Sequence, residues 1–162
     1  MTRARIDELF GAVIANHMLY DVPGRQRAFA EIRRVLKPGG ELYATTNGFG
    51  RLLEMQDLMG RVKPEASIGP NEPDDTPFRL ETGEEQLASW FEDIQVRRLE
   101  RELIVTEVEP LVGYVQSAAR TRLDAHQESE FRLLAKRQIS SEGTIRIATT
   151  AGMFVASKDG KP

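Results

Sequence analysis

No cysteine occurs in the 162 residues, which excludes disulfide staples, thiolate catalysis and Cys-ligated zinc or iron–sulfur centres and fits a reducing, cytoplasmic setting. Histidine is nearly as scarce. The two in the chain, His17 and His126, stand in no ligand spacing such as H-x-x-x-H, so no metal site is expected. No stretch approaches 18 uninterrupted apolar residues, and Met1 leads into no secretory apolar core, so neither a membrane span nor a signal peptide is expected. Charge of one sign is not in excess either. Lys and Arg total 22 against 25 Asp and Glu, a net charge of -3, which leaves no global basic field for nucleic acid or anionic lipid. Walker loop, zincin signature, nucleophile elbow and basic recognition helix are all missing. What remains, 40% hydrophobic and 29% charged residues, is a globular composition of a length suited to one domain over residues 1–162.

Phe10 to Met18, F-G-A-V-I-A-N-H-M, is an apolar run of strand length that turns polar at Asn16 and His17. It suits a strand covered on both faces, with Asn16 and His17 beyond its carboxyl end. Asp21 is placed to accept early amide hydrogen bonds and Pro23 to open a helix. The helix carries an apolar stripe at Phe29, Ile32, Val35 and Leu36, has Arg33, Arg34 and Lys37 near its carboxyl end, and stops at Lys37-Pro38-Gly39-Gly40. Glu41–Asn47 reads as the next strand. Strand, helix and strand within about forty residues make a parallel α/β crossover more economical than a hairpin.

Beyond it, Phe49 to Met59 reads as a helix ending at Gly60. Residues 63–77, with four prolines among acidic residues, read as an exposed linker or lid. Thr82 with Glu85 three positions on matches a capping box before a short helix. Residues 94–105 form two ladders or one long bent strand, Pro110–Ala119 and Asp124–Gln138 read as helices, and residues 144–156 read as a last strand interrupted near Gly152. Residues 158–162 form a flexible tail.

FGAVIANHMLYDVP at residues 10–23 and AFAEIRRVLKPGGELYATTNG at residues 28–48 together resemble the class I S-adenosylmethionine-dependent methyltransferases of the small-molecule group. The resemblance implies a partial Rossmann-like sheet flanked by helices. Phe10–Ala15 would be the fourth strand, Arg25–Leu36 its following helix and Glu41–Thr46 the fifth strand, with an antiparallel last strand inserted between the fifth and sixth. It implies S-adenosylmethionine as cofactor and a small-molecule methyl acceptor. The glycine-rich cofactor loop of the family has no counterpart in Met1–Leu9. The resemblance therefore implies the carboxyl-terminal part of such an enzyme, a fragment or truncated member that binds the cofactor poorly by itself. The edge of the fourth strand, bearing Val13, Ile14 and Ala15, would then favour self-association as a dimer or a complementary chain.

The resemblance brings Asn16, His17 and Met18 toward the cofactor. His17 could also relay a proton as the catalytic residue or simply hydrogen-bond at a strand end, and Asn16 could hold the cofactor or cap a turn. Tyr20 and Asn47 are the substrate-facing candidates, against core packing for the first and turn stabilisation for the second. Met55, Met59 and Trp90 either enclose an apolar acceptor or complete a core. Glu84 and Glu85 are better explained by capping than by acid–base work, and His126 as a solvated side chain. Two other functions stay open: a non-catalytic α/β interaction domain pairing through the exposed strand edge, and a reductase fragment with a related dinucleotide fold.

Overall fold

A computed structural model describes residues 7–66, 68, 74–118 and 122–159. Four strands form one sheet in the order β1-β2-β4-β3: β1 Phe10–Asn16, β2 Leu36–Asn47, β3 Glu92–Val105 and β4 Ile145–Ser157. The helices are α1 Arg25–Val35, α2 Leu53–Gly60, α3 Gly83–Ala88, α4 Val108–Ala118 and α5 Ala125–Glu142, with a short 3₁₀ turn at Leu19–Asp21. β1 and β2 are parallel, as the strand–helix–strand pattern predicts, and β4 lies antiparallel to β2, between it and β3. This is the inserted antiparallel ending that the resemblance implies.

The chain divides into two compact units. One comprises Met1–Phe49, Asn71–Leu99 and Thr150–Pro162, the other Gly50–Pro70 and Glu100–Thr149. In the first, the helical stripe of α1 packs through Phe29, and Phe29, Phe78 and Phe154 form a chain of tilted rings with centroids 6.0 and 5.6 Å apart. Leu19, Leu36, Leu42, Leu80 and Leu87 complete that core. In the second, Met55, Met59, Val115, Phe131, Ile145 and Ile147 are buried together. Met55 and Met59 are thus core residues of the second unit. Trp90 packs in the first, its indole N–H donating to Gln26.

Several local expectations are corrected. β1 is not covered on both faces: Ala15 is buried, whereas Ile14 is 67% exposed and Phe10 45%. The apolar run encodes a strand but not how many neighbours it has. Of the edge residues expected, only Ile14 is open to solvent, because Val13 and Ala15 turn toward the core. Lys37–Gly40 is a loop-out within β2, since pairing jumps from Phe10↔Leu36 to Ala12↔Glu41. Gly39 takes the positive φ of 70° that the excursion requires.

β4 is not interrupted at Gly152. A Cβ there would stand 2.4 Å from the Arg97 carbonyl oxygen and 2.7 Å from Leu80 Cδ2, so the glycine marks a close approach within a continuous strand. The helix expected from Phe49 begins at Leu53, because Leu52 adopts a left-handed backbone with φ 62°. Asp21 does not cap α1. The Asp74 carboxylate accepts from the amides of Gly24 (3.0 Å) and Arg25 (3.2 Å) instead.

Asp74 and Ile68, which is 5% exposed, belong to the stretch read as a linker or lid; 67 and 69–73 lie outside the described residues. In the expected tail, Lys158 is buried and its ammonium donates to the Leu36 carbonyl and to Glu8; 160–162 lie outside the described residues.

Candidate functional site

Parallel neighbours bring their carboxyl ends to the same side of a sheet, and in open α/β sheets ligands bind beyond those ends. The register sets Asn16 of β1 beside Thr45 of β2. The Thr45 hydroxyl accepts from the His17 amide at 3.0 Å and faces Asn16 Oδ1 at 3.4 Å, and the Thr45 carbonyl accepts from the same amide at 3.2 Å. Thr45 therefore fixes the backbone at His17 and occupies the acceptor end of the Asn16 amide. The Asn16 Nδ2 donors make no hydrogen bond among the described residues.

His17 has φ 46°, a left-handed conformation that costs a non-glycine residue about 1 kcal/mol and is often found where a side chain is aimed for function. Its imidazole is exposed and lies 6.4 Å from the Tyr20 ring, centroid to centroid, at 54°. Tyr20 is half-buried against the core of the first unit, so it supports the histidine while its ring packs. Met18 is 48% exposed, and its carbonyl accepts from the Asp21 amide in the 3₁₀ turn.

The structure thus brings Asn16, His17 and Tyr20 together and adds Thr45, which the sequence presents only as strand material. A polar strand end, Thr45-Thr46-Asn47, was the available signal; the pairing register was not. Asn47 is buried, lies opposite Ala151, and its carbonyl accepts from the Leu80 amide. No hydrogen bond or ring contact joins it to Asn16, His17 or Tyr20 among the described residues. Thr46 is fully buried and donates to the Phe78 carbonyl at 2.7 Å.

On the amino-terminal side of α1, a polar cavity of about 470 Å³ is lined by Arg25, Asp74, Thr76 and Gln86 among others. Arg25, 2% exposed, donates through Nε to the Leu19 carbonyl and through Nη1 to the Thr76 carbonyl and Gln86 Oε1, and its guanidinium stands 5.6 Å from the Phe78 centroid. The amides of Gly24 and Arg25, with a smaller contribution from the Arg25 charge, hold the Asp74 carboxyl below its ordinary range. Among the described residues Arg25 Nη2 makes no hydrogen bond but stands 3.5 Å from Asp74 Oδ2 as an ion pair, and the other contacts are internal, so the arrangement ties the chain together. Glu84 and Glu85 are exposed on α3, and His126 is exposed on α5.

A methyltransferase-domain family model matches residues 5–44, which include β1, α1 and most of β2. No curated protein matches the chain. Among solved structures, a candidate methyltransferase from Bacillus halodurans C-125 is similar at 14% identity with a TM-score of 0.58, over 98% of this chain and 68% of its own. The YcgJ protein from Bacillus subtilis is similar at 10% identity and a TM-score of 0.52, over 99% of this chain and 68% of its own. A Haemonchus contortus phosphoethanolamine N-methyltransferase in complex with S-adenosyl-L-methionine shares 17% identity at a TM-score of 0.45, over 95% of this chain and 34% of its own. This chain therefore spans about two thirds of the first two proteins and one third of the last. Residues 5–44 match the methyltransferase-domain model, and the chain shares the Rossmann-like fold of the structurally similar candidate methyltransferase.

Proposed function

We propose that this chain serves S-adenosylmethionine-dependent methyl transfer to a small-molecule acceptor, with the cofactor's amino-acid end held at the carboxyl ends of β1 and β2. The observation that carries this reading is the junction of Asn16, His17 and Thr45, where a strained histidine and two uncommitted amide donors meet at the end of a parallel strand pair. The donor set fits such a ligand: Asn16 Nδ2 suits a carboxylate, and exposed Met18 offers an apolar flank. When bound, the cofactor supplies a methyl group already made electrophilic by its sulfonium. His17 holds the acceptor hydroxyl or amine and takes its proton, and Thr45 keeps His17 in place.

Calorimetric titration with S-adenosylmethionine up to about 1 mM, a range that registers the weak binding expected of this chain by itself, followed by a methyl-transfer assay, tests this. Asn16→Ala is expected to weaken cofactor binding about tenfold, the effect of one good hydrogen bond to a charged group. His17→Ala is expected to lower turnover more than affinity. A folded protein that binds no cofactor, or variants indistinguishable from the parent in both assays, overturns the reading. The uncharged, solvent-open β1 supports a second one, a non-catalytic α/β domain that associates through this strand edge. Failure to bind cofactor together with concentration-dependent association selects it.

A further inference from the structure

The second unit contains a cavity of about 310 Å³ whose chemistry nothing above uses. Its floor is Leu52, Met55, Leu111 and Ile147, each no more than 4% exposed, and its wall includes Leu103 and Ile104, which are 48% and 57% exposed. Large aliphatic side chains left open around a concave apolar floor are what a ligand pocket presents, not what a sealed core does.

One cation stands in the lining. Arg51 is half-buried, and the only hydrogen bond its side chain makes among the described residues is a long one, 3.4 Å, from Nη2 to the Tyr114 hydroxyl. No carboxylate pairs with it among those residues. Two acids close in sequence to lining residues are engaged elsewhere: Glu54 accepts from the Ala148 amide, and Glu102 pairs with Arg146. A guanidinium has five donors in a fork that matches a carboxylate, so most of its hydrogen-bonding capacity is unspent. The third feature is backbone strain. Leu52, next to Arg51, holds φ 62° while its side chain is buried in the floor and its amide is tied to the Ala148 carbonyl. A branched aliphatic residue there is costly and persists where the surroundings fix it, as they do at ligand clamps.

We propose that this cavity binds a small amphipathic carboxylate, its hydrocarbon body on the Leu52–Met55–Leu111–Ile147 floor and its carboxylate on Arg51 with help from the Tyr114 hydroxyl. At roughly 30 Å³ per non-hydrogen atom, the volume suits about ten such atoms. Octanoate is a probe of that size. The proposal does not depend on methyl transfer, and its test is run without S-adenosylmethionine.

Titrating the full chain with octanoate, followed by NMR of the methyl groups of Leu52, Leu111 and Ile147, is expected to give saturable one-to-one binding at about 0.1–1 mM. Arg51→Gln is expected to weaken it about tenfold with an unchanged circular dichroism spectrum, and Tyr114→Phe more modestly. The parent protein supplies a control that needs no variant: octanol should bind at least about tenfold more weakly, and octylamine should not displace octanoate. Absence of saturable shifts at these methyls, or equal binding of octanoate and octylamine, overturns the proposal.

Discussion

Arg25 and Asp74 show how two side chains distant in sequence set the start of one helix. The first turn of α1 has amides with no helical partner, and Asp74 supplies the acceptor that the sequence pattern assigns to Asp21, four residues upstream of Arg25. Because those amides hold the Asp74 carboxyl below its ordinary value, the folded state binds its proton less readily than the unfolded state. The sign follows: the stabilisation is complete above the unfolded value of about 3.9 and is lost as pH falls through the lower folded value. Asp74→Asn is therefore expected to unfold at a lower temperature than the parent at pH 7, with the two melting curves converging in acid below the ordinary Asp range. Curves separated by the same amount at every pH would exclude Asp74 as the titrating cap.

Two capping patterns at the next scale show what sequence does and does not carry. Thr82 with Glu85 reads as a capping box for α3, yet the Thr82 hydroxyl accepts from the Arg79 amide and donates to the Pro77 carbonyl, and makes no bond into its helix. Asp124 with Gln127 has the same spacing and forms the box in full: Asp124 accepts from the Gln127 amide at 2.9 Å and the Gln127 side chain accepts from the Asp124 amide at 3.0 Å. Glu85→Ala is expected to change unfolding free energy by no more than about 0.5 kcal/mol, while Asp124→Ala costs about 1 kcal/mol, both measured by urea denaturation. Local pattern could not separate the two, because a preceding turn competed for the Thr82 hydroxyl. The β1–α1–β2 unit, by contrast, is legible in its apolar stripe and polar strand ends, which lie within one stretch of chain, although α1 stops at Val35 and Lys37–Gly40 loops out of β2 instead of ending the helix. Thr45 and the Arg51–Tyr114 pair are not legible, since they depend on pairing register and on residues 63 positions apart.

Across the whole molecule, the two sides of the sheet are treated differently. β3, at one edge, carries Arg97, Arg98, Glu100, Arg101 and Glu102 and is exposed along most of its length, a charged rim of the kind that discourages strand addition. β1, at the other, has no charged residue from Phe10 to Asn16 and leaves Ile14 and Phe10 open. No strand lies on its outer side among the described residues. An apolar, uncharged edge offers both unpaired backbone groups and contact area, so pairing with a second strand gains hydrogen bonds and burial together. Analytical ultracentrifugation over a concentration series is expected to show the parent chain associating, and Ile14→Lys, which places an ammonium in that edge, shifting the equilibrium toward monomer. A parent that remains monomeric throughout the series would remove edge pairing as a property of this chain. Association unaffected by Ile14→Lys would show that the exposed face at Ile14 is not covered in the interface, since burying an unpaired ammonium there would be costly.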